Sequence, residues 1–312
     1  MTLGFIGLGK MGKNMVLHLL EEGIEVVAWN RSPAPRAEVA KAGAMAVATL
    51  DELVARLKPT RNIWLMVTAG EVVDDILIQL ADKLAAGDLI IDGGNSFYKD
   101  TIKRGQMLAE KGIHFMDVGT SGGIESARRG ACLMVGAEKE DFERIELFLK
   151  VLAAPEAYGL LGPVGAGHFA KMVHNAIEYG MMEAIGEGAA ILKNAPFKYD
   201  LSEVFRVYGK RSIIESRLVS WALSEFKNDP ELADISSTIG TGGTAQKVIA
   251  EGDWTLDFAR EKKIGVPVIE AALKVREESG REAENSPAGF RNKVVSAMRG
   301  QFGQHPVKKS KR

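Results

Sequence analysis

Apolar positions in the first half of the chain gather in short unbroken runs, separated by segments whose apolar residues recur every three to four positions. Residues 3–6, 25–29, 62–67, 88–92 and 114–118 are such runs, the pattern of strands buried on both faces. Residues 10–22, 36–42, 50–57, 72–84 and 99–111 between them carry the helical period. Strands alternating with helices predict parallel pairing through right-handed crossovers, and hence an open sheet covered on both faces. A further unit is expected over residues 131–135 and 141–151. Beyond the breaker cluster Gly162-Pro163-Val164-Gly165-Ala166-Gly167 only the helical period remains, over residues 169–194, 201–209, 213–226, 256–264, 267–278 and 290–298. An all-α region is therefore expected to follow the α/β region.

Composition removes several functions. Among 312 residues, 46% are hydrophobic and 26% charged, with a net charge of −1. That balance speaks against a wholly basic nucleic-acid binder and against an acidic disordered chain. The basic tail at residues 307–312 reads as a solvated terminus. Cys132, the single cysteine, excludes an intramolecular disulfide and any metal site built on paired cysteines. No apolar run approaches the roughly 20 residues that span a bilayer. Residues 1–6 lead straight into a glycine turn without a signal-peptide pattern. A cytoplasmic protein working on a small molecule, with no membrane or nucleic-acid partner, is the expectation.

The glycines add chemistry. Gly7-Leu8-Gly9-Lys10-Met11-Gly12 follows the first expected strand and opens the first expected helix, the context a dinucleotide fingerprint requires. Gly7 permits the tight turn, Gly9 admits a pyrophosphate to the backbone, and Gly12 allows close helix–strand packing. The fold class predicted is an N-terminal Rossmann-type doubly wound sheet followed by an all-α C-terminal domain. A carboxylate at the end of the second strand would bind the ribose 2′-hydroxyl of NAD. This chain has Asn30-Arg31-Ser32 there, with Arg36 as a second candidate cation, a set suited to a 2′-phosphate and so to NADP, with NAD as the alternative.

A second constellation lies on the longest expected helix. Lys171, His174, Asn175, Glu178 and Tyr179 share one helical stripe, while Met172, Val173, Ala176 and Ile177 fill the other faces. The helix is expected to be buried all round except for this one stripe of ionisable and polar groups. A desolvated lysine can act as a general base and a desolvated glutamate as a general acid, so one helix carries the groups for two proton transfers. Ile91-Asp92-Gly93-Gly94-Asn95-Ser96 and Asp117-Val118-Gly119-Thr120-Ser121-Gly122-Gly123 end two expected strands at the sheet edge where ligands of open α/β folds bind.

With these residues in view, the chain resembles the β-hydroxyacid dehydrogenases, and within them the short-chain branch of the 6-phosphogluconate dehydrogenase family. The likeness runs through the fingerprint at 7–12, Met66-Val67-Thr68-Ala69-Gly70, residues 91–96, 121–123 and 165–179, Glu251-Gly252-Asp253-Trp254-Thr255, Arg276 and residues 299–305. The resemblance implies oxidative decarboxylation of a phosphorylated sugar acid without a metal, Lys171 taking the substrate's hydroxyl proton and Glu178 protonating the decarboxylated product. It implies that Ser121, Gly122 and Gly123 hold the substrate carboxylate, that Asn95, His174 and Asn175 bind hydroxyls, and that Tyr179 and Arg276 bind the phosphate. Val67, Thr68, Ala69 and Asn95 would line the cofactor. It further implies a homodimer, compatible with a tetramer, in which Arg299 and His305 complete the neighbouring subunit's site. Domains are expected at 1–161 (dinucleotide binding), 162–306 (substrate and dimerisation) and 307–312 (flexible tail). The chain departs from the long relatives' pattern at Thr68, Ile249 and Glu251, with Lys247 nearby and Gly240-Thr241-Gly242-Gly243-Thr244 unmatched. Alternatives are a non-decarboxylating 3-hydroxyacid dehydrogenase and a non-catalytic NADP-binding protein.

Overall fold

The structure is a computed structural model that describes residues 2–240 and 251–303. The chain divides into two compact units, residues 1–172 and 173–312, and the division falls inside a long helix.

The first unit holds one eight-stranded sheet in the order β3-β2-β1-β4-β5-β6-β7-β8. Its strands are β1 (Thr2–Ile6), β2 (Glu25–Trp29), β3 (Met45–Ala46), β4 (Asn62–Leu65), β5 (Leu89–Asp92), β6 (His114–Ser121), β7 (Ala131–Gly136) and β8 (Ala153–Gly162). Between them lie α1 (Lys10–Glu21), α2 (Pro33–Lys41), α3 (Leu50–Arg56), α4 (Glu71–Ala81), α5 (Tyr98–Ala109), α6 (Gly123–Arg129) and α7 (Lys139–Leu152). Successive strand residues point to opposite faces, and both faces are covered. Phe5 and Trp64 join one core with Met15, Leu19 and Phe148, whereas Ile6, Ile63 and Leu65 join the other with Leu53 and Leu77. This is why the strand runs are apolar without alternation. Strand order reverses between β1 and β4, which opens a crevice at their carboxyl ends.

Two expectations needed correction. Pairing is parallel from β3 through β6, but β7 runs antiparallel to β6. Only a short connection carrying the seven-residue α6 joins them, and a parallel crossover needs roughly a dozen residues or more. The strand β8, parallel to β7, was not foreseen, because Pro155 and Gly159 weaken its signal; an edge strand tolerates both.

The helix α8 (Ala166–Lys193) starts in the first unit. The second unit continues with α9 (Leu201–Tyr208), α10 (Arg217–Asn228), α11 (Glu251–Glu261), α12 (Pro267–Glu278) and α13 (Pro287–Gly303), so it is helical as predicted among the described residues. Its core gathers Met182, Phe205, Phe226, Phe290, Val295 and Met298. The helix expected from residue 213 starts at Arg217 instead, because the Ser216 side chain accepts from the Val219 amide at 3.2 Å and caps it.

The start of α8 is fixed from the sheet. Asp117 of β6 is fully buried; its Oδ1 accepts from the Gly165 amide and its Oδ2 from the His168 amide, each at 2.6 Å. Gly119, Gly136 and Gly167 permit this approach. A Cβ on Gly167 would lie 2.8 Å from the Gly136 nitrogen and 2.9 Å from the Asp117 carbonyl oxygen. Burial pushes the Asp117 carboxyl above its ordinary range, against the pull of His168 and the two amides. Replacing Asp117 by Ala orphans two buried N–H groups, and the expected loss is on the order of 3 kcal/mol in urea unfolding; an unchanged midpoint would show that the cap does not hold α8.

Candidate active site

Gly7 and Gly12 meet the steric demands expected of them. Gly7 has φ 98° and a Cβ there would lie 2.7 Å from the Met66 carbonyl carbon. A Cβ on Gly12 would fall on the Gly7 carbonyl oxygen, so α1 packs directly on the turn. A Cβ built on Gly9 would meet nothing within 4 Å, so the start of α1 is open to an approaching phosphate. Lys10 is exposed and Met11 half-buried at the same helix start. The Leu8 amide donates to Asn30 Oδ1 at 2.9 Å, and Asn30 Nδ2 donates to the Ser32 carbonyl at 3.2 Å. Asn30 therefore ties the turn to the end of β2, while Arg31 and Ser32 are exposed beyond it. Arg36, the second candidate cation, donates from Nη1 to the Val47 carbonyl at 2.9 Å. Val67, Thr68 and Ala69 follow β4, and a Cβ on Gly7 would lie 2.8 Å from Val67 Cγ1. These residues fit a dinucleotide lying across the switch between β1 and β4.

Further along the sheet edge, Asp92 shapes the loop that presents Asn95. Its Oδ1 accepts from the Gly94 amide at 3.1 Å and its Oδ2 from Ser96 Oγ at 2.6 Å, and Asn95 itself is exposed. Arg104, 5% exposed, stands behind, with Nη1 3.9 Å from Asp92 Oδ2 and Nε donating to Asp74 at 2.7 Å. Neither support was assigned a role from sequence; Arg104 shares the buried stripe of α5 with Thr101 and Leu108. Ser121 ends β6, followed by Gly122 and Gly123 at φ 119° and 76°, a turn that side chains would strain. Lys171 is 7% exposed, and a Cβ on Gly119 would lie 2.5 Å from the lysine's own Cβ, so its stem is pressed against β6 just before Ser121.

In the second unit, α8 carries the rest of the stripe. Asn175 is buried at 7% exposure, and His174 Nδ1 lies 3.1 Å from Asn175 Oδ1 and 3.9 Å from Glu178 Oε2. Of the residues expected to fill the other faces of α8, Met172 and Ala176 are buried but Ile177 is exposed, and with Met181 and Ile191 it forms an exposed apolar stripe.

Tyr179 gathers residues from distant helices. The Arg276 guanidinium stacks on its ring, Cζ 3.6 Å from the centroid, and a Cβ on Gly252 would lie 2.9 Å from its Cε2. Arg276 is 7% exposed, and its Nε and Nη2 find no acceptor among the described residues. Arg299 donates to the Gly240 carbonyl; burial, with Arg276 close by, lowers it to about 10. The resemblance implies that Arg299 serves a neighbouring subunit, but in the single chain it stands beside its own Tyr179 and Arg276. Burial raises the Tyr179 hydroxyl, with the charge of Glu251 next. Sequence reasoning missed Glu183, which is 4% exposed at one edge of this group. It sits two positions beyond the exposed Met181, where helical periodicity alone does not distinguish it. His305, the tail and residues Thr241, Gly242, Gly243, Thr244, Lys247 and Ile249 lie outside the described residues.

The family model described as the NAD binding domain of 6-phosphogluconate dehydrogenase matches residues 2–162, and the one described as the 6-phosphogluconate dehydrogenase C-terminal domain matches residues 167–311. The NAD(+)-dependent, decarboxylating 6-phosphogluconate dehydrogenase of Haloferax volcanii is 35% identical over 98% of this chain and 98% of its own length. The NADP(+)-dependent, decarboxylating enzyme of Bacillus subtilis is 36% identical over 92% of this chain, a match covering 63% of that longer protein. Among solved structures, Plasmodium falciparum 6-phosphogluconate dehydrogenase, determined with NADP+ and with 6-phosphogluconate, aligns with a TM-score of 0.78 at 29% identity, over 96% of this chain and 70% of that one. The 3-hydroxyisobutyrate dehydrogenase of Mycobacterium tuberculosis, at 19% identity and a TM-score of 0.72, shares the fold.

The Glu183 carboxyl is raised from 4.5 to about 7, mainly by burial, so folding favours its neutral form. That contribution is full below about pH 4.5 and is lost as pH rises through about 7. Wild type should therefore lose about 3 kcal/mol relative to Glu183→Gln over that window in urea unfolding; a pH-independent difference would contradict it.

Proposed function

The chain belongs to the 6-phosphogluconate dehydrogenase family, and from that premise we propose that it converts 6-phosphogluconate to ribulose 5-phosphate and carbon dioxide, passing hydride to NADP or, less well, NAD. The observation that carries the reading is the stripe of α8 on which Lys171, pressed against β6 beside the Ser121-Gly122-Gly123 turn, precedes Glu178 by two helical turns. Ser121 and the two glycines are assigned to the substrate carboxylate, Asn95, His174 and Asn175 to its hydroxyls, and Tyr179, Arg276 and Arg299 to its phosphate. The two unused donors of Arg276 support the last assignment, since a planar guanidinium matches phosphate geometry.

A nicotinamide dinucleotide held by Gly7 to Gly12, Asn30 to Ser32, Val67 to Ala69 and Asn95 supplies the hydride acceptor when bound. Lys171 takes the proton of the substrate's 3-hydroxyl as the hydride leaves the same carbon. The resulting ammonium offsets charge on the new keto oxygen while the bond to the carboxylate breaks and carbon dioxide departs. Lys171 then hands its proton to the enediolate oxygen. It takes a proton back from the enediol as Glu178 delivers one to the terminal carbon, giving the ketone. One proton passed from lysine to glutamate restores both groups. The β-keto acid itself is the electron sink, so the residues need only move protons and hold charge.

NADP is preferred in this reading because residues 30–32 offer an exposed arginine and hydroxyl and no carboxylate against a 2′-phosphate. A homodimer completes it. The outward stripe of Ile177, Met181 and Ile191 is an aliphatic face suited to a second copy of this chain, and the resemblance assigns His305 to the neighbouring site. Among the described residues no helix is long and apolar enough to cross a membrane.

With 6-phosphogluconate, one carbon dioxide is expected for each reduced cofactor, with kcat/KM higher for NADP than for NAD. Reduction without carbon dioxide would instead favour a simple 3-hydroxyacid dehydrogenase. Lys171→Met should lower kcat by about 100- to 10,000-fold while dinucleotide binding persists; full turnover would refute the mechanism. Sedimentation should show a dimer that Ile177→Asp combined with Ile191→Asp converts to monomer, and a wild-type monomer would remove the dimer from the reading.

A further inference from the structure

Glu183 and Arg276 face each other without bonding. The carboxylate is 4% exposed and neither of its oxygens has a hydrogen-bond partner among the described residues. The nearest contact, Arg276 Nε at 3.8 Å from Oε1, is too long for a hydrogen bond. Arg276 is buried as well, held by the Tyr179 ring rather than by the carboxylate, with Nε and Nη2 unused. A buried carboxylate and guanidinium usually close into a bidentate pair. Here the donors are left for something else.

The surrounding charges are Arg276 on α12, Arg291 and Arg299 on α13, and Glu187 on the same helix as Glu183. Tyr179 and Glu178 of α8 act on Arg299, and Glu251 of α11 acts on Tyr179. Three arginines thus oppose, without overcoming, the burial that raises the carboxyl. A dianion seated on Arg276 and Arg299 would cancel that support and add repulsion from the other side.

We propose that Glu183 is a proton-linked counterion of this arginine site, competing as a carboxylate with the substrate's phosphate for Arg276 and taking up a proton when the dianion binds. The inference rests on the assignment of Arg276 and Arg299 to the phosphate. Glu183 is already raised to about 7 in the free protein, so the proton is gained within the working pH range. Glu183 is a positioning residue: it acts on Arg276 and touches no reacting atom. Affinity for the phosphorylated substrate then falls as pH rises above about 7, by up to tenfold per pH unit for one linked proton.

Sulfate, a dianion that does not titrate in this range, serves as the probe, through its inhibition constant against 6-phosphogluconate from about pH 6 to 9. In wild type the constant should climb above about pH 7, approaching tenfold per unit. In Glu183→Gln it should stay level and match wild type near pH 6, since Gln imitates the protonated acid. Equal slopes in both proteins would assign the linkage to another group, such as His174, and overturn the inference. So would a variant weakened equally at every pH, the mark of a merely structural role. Titration calorimetry of wild type with sulfate, at about pH 7.5 in two buffers of different ionisation enthalpy, reads proton uptake without any variant; zero uptake overturns the proposal. Sulfate that fails to compete in either protein, together with an unchanged KM for 6-phosphogluconate in Arg276→Lys, would sink the phosphate assignment and this inference with it. Competition with the wrong pH slope would sink the inference alone.

Discussion

Asp117 joins the sheet to the long helix. Its two oxygens each accept an amide from the first turn of α8, at a point where three glycines let helix and strands meet backbone to backbone. Beside it, His168 Nδ1 lies 2.8 Å from Thr101 Oγ1 and 3.9 Å from Asp117 Oδ2, so the cap is braced from α5. A carboxylate buried this deeply is costly, and the cost is offset only because both lone-pair directions meet N–H groups whose own burial would otherwise be unfavourable. Once the first turn is fixed, Lys171 falls one turn later, against Gly119.

The second unit uses buried charge differently. Arg276, Arg299 and Glu183 are drawn from α12, α13 and α8 and are brought together without mutual hydrogen bonds. Fold stability alone would favour closing such a pair or replacing it with aliphatic side chains. Unpaired donors kept under cover by an aromatic ring are the signature of a site arranged for a ligand, where local rules are broken and the rest of the structure compensates. In the α/β unit the compensation is visible: Asp92 accepts hydrogen bonds from the Gly94 amide and Ser96 of its own loop, with the Arg104 charge 3.9 Å away, and Asn95 is exposed on that loop.

Much of this was written in the sequence. The glycine turn at residues 7–12 was legible because Gly7 and Gly12 meet steric demands that no other residue satisfies, a positive φ at Gly7 and contact with the Gly7 carbonyl at Gly12. The parallel core of the sheet was legible because burial on both faces removes alternation from its strands. The ionisable stripe of α8 was legible because the helical period is local and places Lys171 and Glu178 on one side whatever else the chain does.

What remained hidden depends on partners distant in the chain. The reversal at β7 followed from the length of a connection rather than from the strand's own residues, and β8 carries a proline and glycines that only an edge position excuses. The outward direction of Ile177 and Ile191 could not be read from their hydrophobicity, since a period specifies faces but not which face meets the core. Glu183 looked like ordinary helix surface and proved to be buried beside Arg276. Sequence alone determined which elements form and which side chains share a helix face, because those are short-range steric and periodic facts. Tertiary structure decided which buried charges meet and which are left without partners, because that depends on where separate helices come to rest.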